Sequence, residues 1–151
     1  MSATGVAFGV YDPFAASPDD SVGTIAVTCR HVPPTRAERI NYTVTLSAGG
    51  SGAYSQRRLS AGATLLGYNL YADGGRSQVW ADGNSATVTI TGSMVVGPGV
   101  GNGTRTATHT IYGRIPARQA VAPGSYTDSI AAPLAFSAAQ GVATSRCSGM
   151  A

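Results

Sequence analysis

Apolar and polar residues alternate with period two along much of the chain, the pattern of strands with one face in a core and the other in water. The run I-N-Y-T-V-T-L-S over residues 40–47 alternates without a break: Ile40, Tyr42, Val44 and Leu46 share one face, and Asn41, Thr43, Thr45 and Ser47 share the other. The same period groups Ile25, Val27 and Cys29 within residues 23–29, and sets Val88 and Ile90 against Thr87, Thr89 and Thr91. Cys29 therefore continues a core face. Residues 104–115 form a long strand candidate, and residues 124–136 form the last. Residues 65–83, with alternating aromatics, two turn signals and the only tryptophan, read as two strands joined by a short turn.

Between these runs stand Gly49-Gly50-Ser51-Gly52, Asp73-Gly74-Gly75, Asp82-Gly83-Asn84, Gly97-Pro98-Gly99 and Pro123-Gly124. Glycine supplies positive φ and Asp or Asn caps its own turn, so these are turns with a mechanism. No stretch carries helical apolar spacing over ten residues with a cap. The pattern predicts seven or eight short strands and an all-β fold, most simply a two-sheet sandwich. A glycine-rich loop is expected over residues 95–106. Small residues and weak alternation set residues 137–151 apart as a C-terminal tail without order of its own, leaving residues 1–136 as one domain.

Composition narrows the class. A single domain of 151 residues buries roughly 70% of its unfolded surface, enough for a true core. Charged residues are 11% of the chain, with Gly, Ser and Thr in the polar positions, which suits a secreted β-protein. All ten cations are arginines, scattered singly near turns apart from Arg57-Arg58, and the net charge is +3. Nucleic-acid binders concentrate charge in a stripe, so these arginines read as solubilising surface charge and no nucleic-acid partner is expected. No run of 18 apolar residues is present, so no membrane span is expected, and the start shows no signal-peptide pattern.

Candidate chemistry is sparse. His31 and His109 have no cysteine or carboxylate at zinc-ligand spacing, and His109 shares the parity of Ala107 and Ile111, as a half-buried strand residue would. Asp73 and Asp82 face each other only if the predicted hairpin forms, and both stand in turn-forming D-G dipeptides. A hydrolase relying on that pair is one rival reading. Nucleophile-elbow, Walker and dinucleotide fingerprints are absent, so no cofactor, metal or catalytic residue is assigned. Trp80 with Tyr42, Tyr54, Tyr68, Tyr71, Tyr112 and Tyr126 would form a sugar-stacking platform if several shared one exposed face. That gives the second rival, a carbohydrate-binding module or pilus-tip adhesin, although parity puts Tyr42 among aliphatics.

Several motifs, in one order, resemble the spore coat protein U family, which includes pilins of archaic chaperone-usher pili. They are Phe8-Gly9 with Tyr11-Asp12-Pro13, Val27-Thr28-Cys29, Arg58-Leu59, Tyr68-Asn69-Leu70-Tyr71, Trp80, Asp82-Gly83, Tyr112-Gly113, Ile115-Pro116, and Gly124, Tyr126 and Asp128. These are fold-defining rather than reactive positions. The resemblance implies an immunoglobulin-like sandwich lacking its last strand, completed by an extended segment of a neighbouring subunit. It implies a structural, non-enzymatic role in a secreted surface fibre. The implied partners are a periplasmic chaperone, an outer-membrane usher and neighbouring pilin subunits. On this reading Ile130, Leu134 and Phe136 form one wall of the strand-binding groove and Val6 and Phe8 the other. Pro133 then deletes one ladder bond if its nitrogen faces the groove.

The family commonly pairs its second-strand cysteine with one upstream of the F-G motif. This chain begins downstream of that position, so the resemblance leaves Cys29 without its usual partner and the chain without a donor segment. Cys147 lies in the expected tail. The expectation is that Cys29 and Cys147 do not bond to each other.

Overall fold

A computed structural model of the chain describes residues 1–32, 36–99, 103–138 and 146–148. Among these, nine strands form: β1 (Ser2–Thr4), β2 (Asp19–Arg30), β3 (Glu38–Val44), β4 (Arg57–Ala61), β5 (Thr64–Tyr71), β6 (Ile90–Val96), β7 (Thr104–Ile115), β8 (Leu134–Ala138) and β9 (Arg146–Ser148). They build two packed antiparallel sheets, an immunoglobulin-like sandwich. One sheet runs β1-β2-β7-β5-β4 with β9 also on β2, and the other runs β6-β3-β8.

The alternation read from the sequence sets the faces. Ile25, Val27 and Cys29 of β2, Ile40, Tyr42 and Val44 of β3, and Leu46 just beyond are all buried. β2 and β7 pair along their whole length, from Asp19 opposite Ile115 to Arg30 opposite Thr104. On the outer face of that pair, threonine hydroxyls bond across strands, as Thr28 Oγ1 does with Thr106 Oγ1 at 2.9 Å. His109 lies on the inner parity of β7, where its Nε2 is 2.8 Å from the Tyr42 hydroxyl of the opposite sheet.

Several expectations change, and the last strand, expected over residues 124–136, forms only as β8 from Leu134. The second strand of the predicted 65–83 hairpin does not form: after β5 the chain makes only single bridges, Tyr71 with Val79 and Trp80 with Val88. It folds as capped loops because Asp73 and Asp82 draw the following backbone N–H groups onto their carboxylates. The expected glycine-rich loop is shorter, since β6 reaches Val96 and β7 begins at Thr104; residues 100–102 lie outside the described residues. The expected tail is partly structured. β8 carries on to Ala138 and β9 pairs with β2, while residues 139–145 and 149–151 lie outside the described residues. Finally, Cys29 and Cys147 are joined by a disulfide, against expectation. The reason is register: β9 runs antiparallel to β2 with Cys147 directly opposite Cys29.

Candidate strand-binding cleft and its polar support

The N-terminal segment leaves β1 and crosses the inner face of the larger sheet. It can do so because β7 carries a glycine there: a Cβ on Gly113 would lie 2.6 Å from Val6 Cγ1 and 2.7 Å from Phe8 Cζ. The Phe8 ring meets the buried Tyr68 ring edge-on, with centroids 6.0 Å apart. Tyr11 anchors the far end: its hydroxyl donates to the Pro116 carbonyl at 2.9 Å and accepts from the Gln119 N–H at 2.8 Å. Between this segment and residues 121–126 opens a cleft of 730 Å³, walled by Val6, Phe8 and Tyr126 over Leu59, Leu66 and Ile115. Val10 also lines it and is 96% exposed. Among the described residues no charged side chain lines this cleft.

The last part of the chain changes sheets. Thr127 exchanges both backbone bonds with Ser60 of β4, and the chain then crosses to β3, where Ala131 O accepts from Ser47 N and Pro133 O accepts from Thr45 N. In an antiparallel ladder the N–H and C=O of one residue face the same neighbour. Residues 131, 133, 135 and 137 therefore spend their backbone groups on the β3 side, and the missing donor of Pro133 falls there. Residues 132, 134, 136 and 138 turn their backbone groups outward, where β8 has no ladder partner among the described residues. Their side chains point inward. Phe136, opposite the buried Tyr42, is nevertheless 37% exposed, because none of the described residues pairs with β8 on its open side.

The five side chains expected to wall one groove are thus divided. Val6 and Phe8 line the cleft, Ile130 and Leu134 are partly buried against the same core, and Phe136 borders a separate shallow depression with Tyr42 and Gly92.

Beneath the cleft lies a polar core that the sequence reading assigned to the surface. Arg57 is fully buried. Its Nε donates to Ser47 O at 2.9 Å, Nη1 to Asn69 Oδ1 at 2.7 Å and Nη2 to Trp80 O at 2.8 Å, and its guanidinium lies 5.5 Å from the centre of the Tyr54 ring. Arg58, the residue placed on the family motif, is exposed. Parity in R-R-L-S-A carried the signal: Arg57 alternates with Leu59 and Ala61, Arg58 with Ser60. Burial presses the Arg57 pKa down, and three directed acceptors hold the cation in place. Asn69 Nδ2 donates to Tyr54 O at 2.8 Å, so its amide ties β5 to the loop before β4.

Tyr68 donates to Asp128 Oδ2 at 2.7 Å, and Asp128 Oδ1 accepts from Gly50 N and Ser129 N. Burial, then the Asp128 carboxylate, push the Tyr68 phenol well above its ordinary range. Several other motif residues hold their local backbone. Asp12 accepts from Phe14 N, Tyr126 donates to Ala122 O at 2.6 Å, and Tyr112 lies under the Arg76 guanidinium. Gly9 and Gly83 take positive φ. At the surface Asp20 pairs with Arg114 at 2.7 Å and Arg76 at 3.3 Å.

The rival chemistries lose their geometry. Trp80 is fully buried, with Nε1 donating to Val44 O at 2.9 Å, so it offers no stacking surface, and Tyr42 and Tyr68 are buried too. Asp73 accepts from Ser77 and Gln78, and Asp82 from Asn84 and Thr87, so each carboxylate is engaged by its own loop. These bonds hold both pKa values below the usual carboxylate range, opposite to the raised pKa of a general acid. Among the described residues no three His, Cys, Asp or Glu side chains gather as a metal site. Among them, too, no helix is long and apolar enough to cross a membrane.

The fold is an immunoglobulin-like sandwich with an apolar cleft and, apart from it, a β8 edge that has no ladder partner among the described residues. The chain belongs to the Spore Coat Protein U domain family, whose model matches residues 1–133. That family is one of structural, pilin-type domains of surface fibres rather than of enzymes. No match was found among curated proteins.

Proposed function

We propose that this chain is a subunit of a secreted surface fibre of the archaic chaperone-usher type, polymerising by donor-strand complementation. A strand from a neighbouring subunit adds to the outer edge of β8, and a periplasmic chaperone and outer-membrane usher handle the subunit beforehand. The observation that carries this reading is the outer edge of the smaller sheet: β8 has no ladder partner there among the described residues, and its inward Phe136 remains 37% exposed. A sheet edge of this kind is a template for another strand. The uncharged cleft under Val6 and Phe8 fits alternate apolar side chains of that strand.

The test is a titration of a fluorescent alternating apolar peptide against wild type, Leu134→Ala, Phe136→Ala and Thr127→Ala. Truncating Leu134 or Phe136 weakens binding by roughly 2 to 5 kcal/mol if these side chains form the floor of a completed core. Thr127→Ala, exposed and bonded to Ser60 of β4 rather than on β8, leaves it near wild type. Equal affinities for all four proteins would remove the β8 edge as the docking site.

A further inference from the structure

The cysteine pair lies near the Arg30 end of β2 and fastens a strand that little else holds. β9 is three residues long, with Ser148 facing Thr28, Cys147 facing Cys29 and Arg146 facing Arg30. So short a ladder is marginal in water. One of its three cross-strand pairs sets two exposed arginines directly opposite each other, and like charges in that position are destabilising. Neither arginine shares in the salt bridges that Asp20 makes with Arg76 and Arg114. On the favourable side stand the burial of Cys147 beside the fully buried Cys29 and the covalent bond itself. β1 occupies the same edge further along, with Ser2 opposite Ala26, so β9 and β1 lie end to end as two separate fillers of one acceptor edge.

We propose that the β2 edge at residues 28–30 is an exchangeable strand-docking site, which takes the C-terminal strand of a second copy of this chain when the Cys29–Cys147 bond opens and re-forms. A second copy is the fitting occupant because its residues 146–148 reproduce the pairing already present, with the cysteine inward and opposite Cys29. Opening needs a dithiol reductant. One of its thiolates attacks the less buried Cys147 Sγ, the Sγ–Sγ bond breaks, and Cys29 leaves as a thiolate that takes a proton. The second thiolate then attacks the reductant's own sulfur in the mixed disulfide and releases Cys147. Two electrons have passed, and the dithiol has become a disulfide. Closure between copies reverses these steps with a small-molecule disulfide as the oxidant. Closure within one copy has an effective concentration on the order of millimolar, so exchange between copies needs comparable protein concentration or packing in an assembly.

The experiment mixes equal amounts of isotopically light and heavy full-length chain, reduces them with dithiothreitol, and reoxidises them with glutathione disulfide at millimolar and at micromolar protein. Peptide mapping without reductant then reads the Cys29–Cys147 crosslink. Mixed-label crosslinks at high concentration that fade on dilution are expected, and same-label crosslinks alone at both concentrations would overturn the proposal. Alkylation of reduced, folded chain supplies the second readout. Cys147 is expected to react readily once β9 departs, and Arg146→Glu, which turns the repelling pair into an attracting one, should slow it roughly fivefold. A Cys147 that stays protected in the reduced wild type would show that β9 remains docked without its bond, and the site would not be exchangeable.

Discussion

Arg57→Ala tests the least expected feature of the fold, a fully buried cation with three directed partners. Removing the guanidinium strips the Ser47 and Trp80 carbonyls of the donors that reach them from Arg57. Asn69 Oδ1 keeps the Leu70 N–H at 3.0 Å, so it is only partly deprived. A buried acceptor left unsatisfied costs about 1–3 kcal/mol, so two such carbonyls together with the vacated volume give roughly 4 kcal/mol. The loss of desolvation strain on the cation itself acts in the other direction, which keeps the figure from rising higher. With a urea slope of about 2 kcal/mol/M, the unfolding midpoint falls by roughly 2 M. Arg57→Lys retains a charge but one compact donor group in place of a planar fork, and falls between. Arg58→Ala, one residue away and exposed, stays within about 0.5 kcal/mol of wild type. The assay is urea unfolding followed by circular dichroism with the disulfide intact. Coincident curves for the Arg57 and Arg58 variants would refute the reasoning, because solvent-facing arginines are the only kind whose removal is so cheap.

The cystine closes a separation of 118 residues, so Cys147→Ser should lower stability by up to about 4.7 kcal/mol on chain-entropy grounds; an unchanged denaturation midpoint would mean that the loop is not closed in solution. Gly113→Ala drives a methyl into Val6 and Phe8 and should cost about 1–3 kcal/mol. A melting temperature equal to wild type would place the N-terminal segment elsewhere. The Tyr68 phenol is held protonated in the fold, chiefly by burial, whereas an unfolded tyrosine ionises near pH ~10. The folded state then binds more protons than the unfolded one at high pH, so this contribution is complete below about pH 10 and is lost above it. Stability measured from neutral to strongly alkaline pH should fall less steeply in Tyr68→Phe, and parallel profiles would remove Tyr68 as the cause.

Period-two alternation made the faces of β2, β3 and β7 legible, because a strand that buries one face must write that burial into every second residue. Ile40, Tyr42, Val44 and Leu46 needed no knowledge of their partners to be placed inside. The same signal was present for Arg57, and charge concealed it: an arginine at an inward position looks like an exception until three carbonyl and amide oxygens are found converging on it from segments 10 to 23 residues away. Such convergence is a property of packing and has no period. The disulfide was hidden for a related reason. Three residues are too few to show alternation, and nothing local to Cys147 records that Cys29 lies opposite, since the register is set by where β8 ends and β2 offers an edge. The cleft falls between these cases. Leu134 and Phe136 share one face of β8, as parity requires, but whether Phe136 shares a cavity with Val6 and Phe8 depends on where the chain passes from Thr127 beside β4 to Ala131 beside Ser47. That crossing divides the expected wall into an apolar cleft and an open edge, so for the strand proposed to dock along β8, Phe136 and the Val6–Phe8 cleft are two separate sites rather than one.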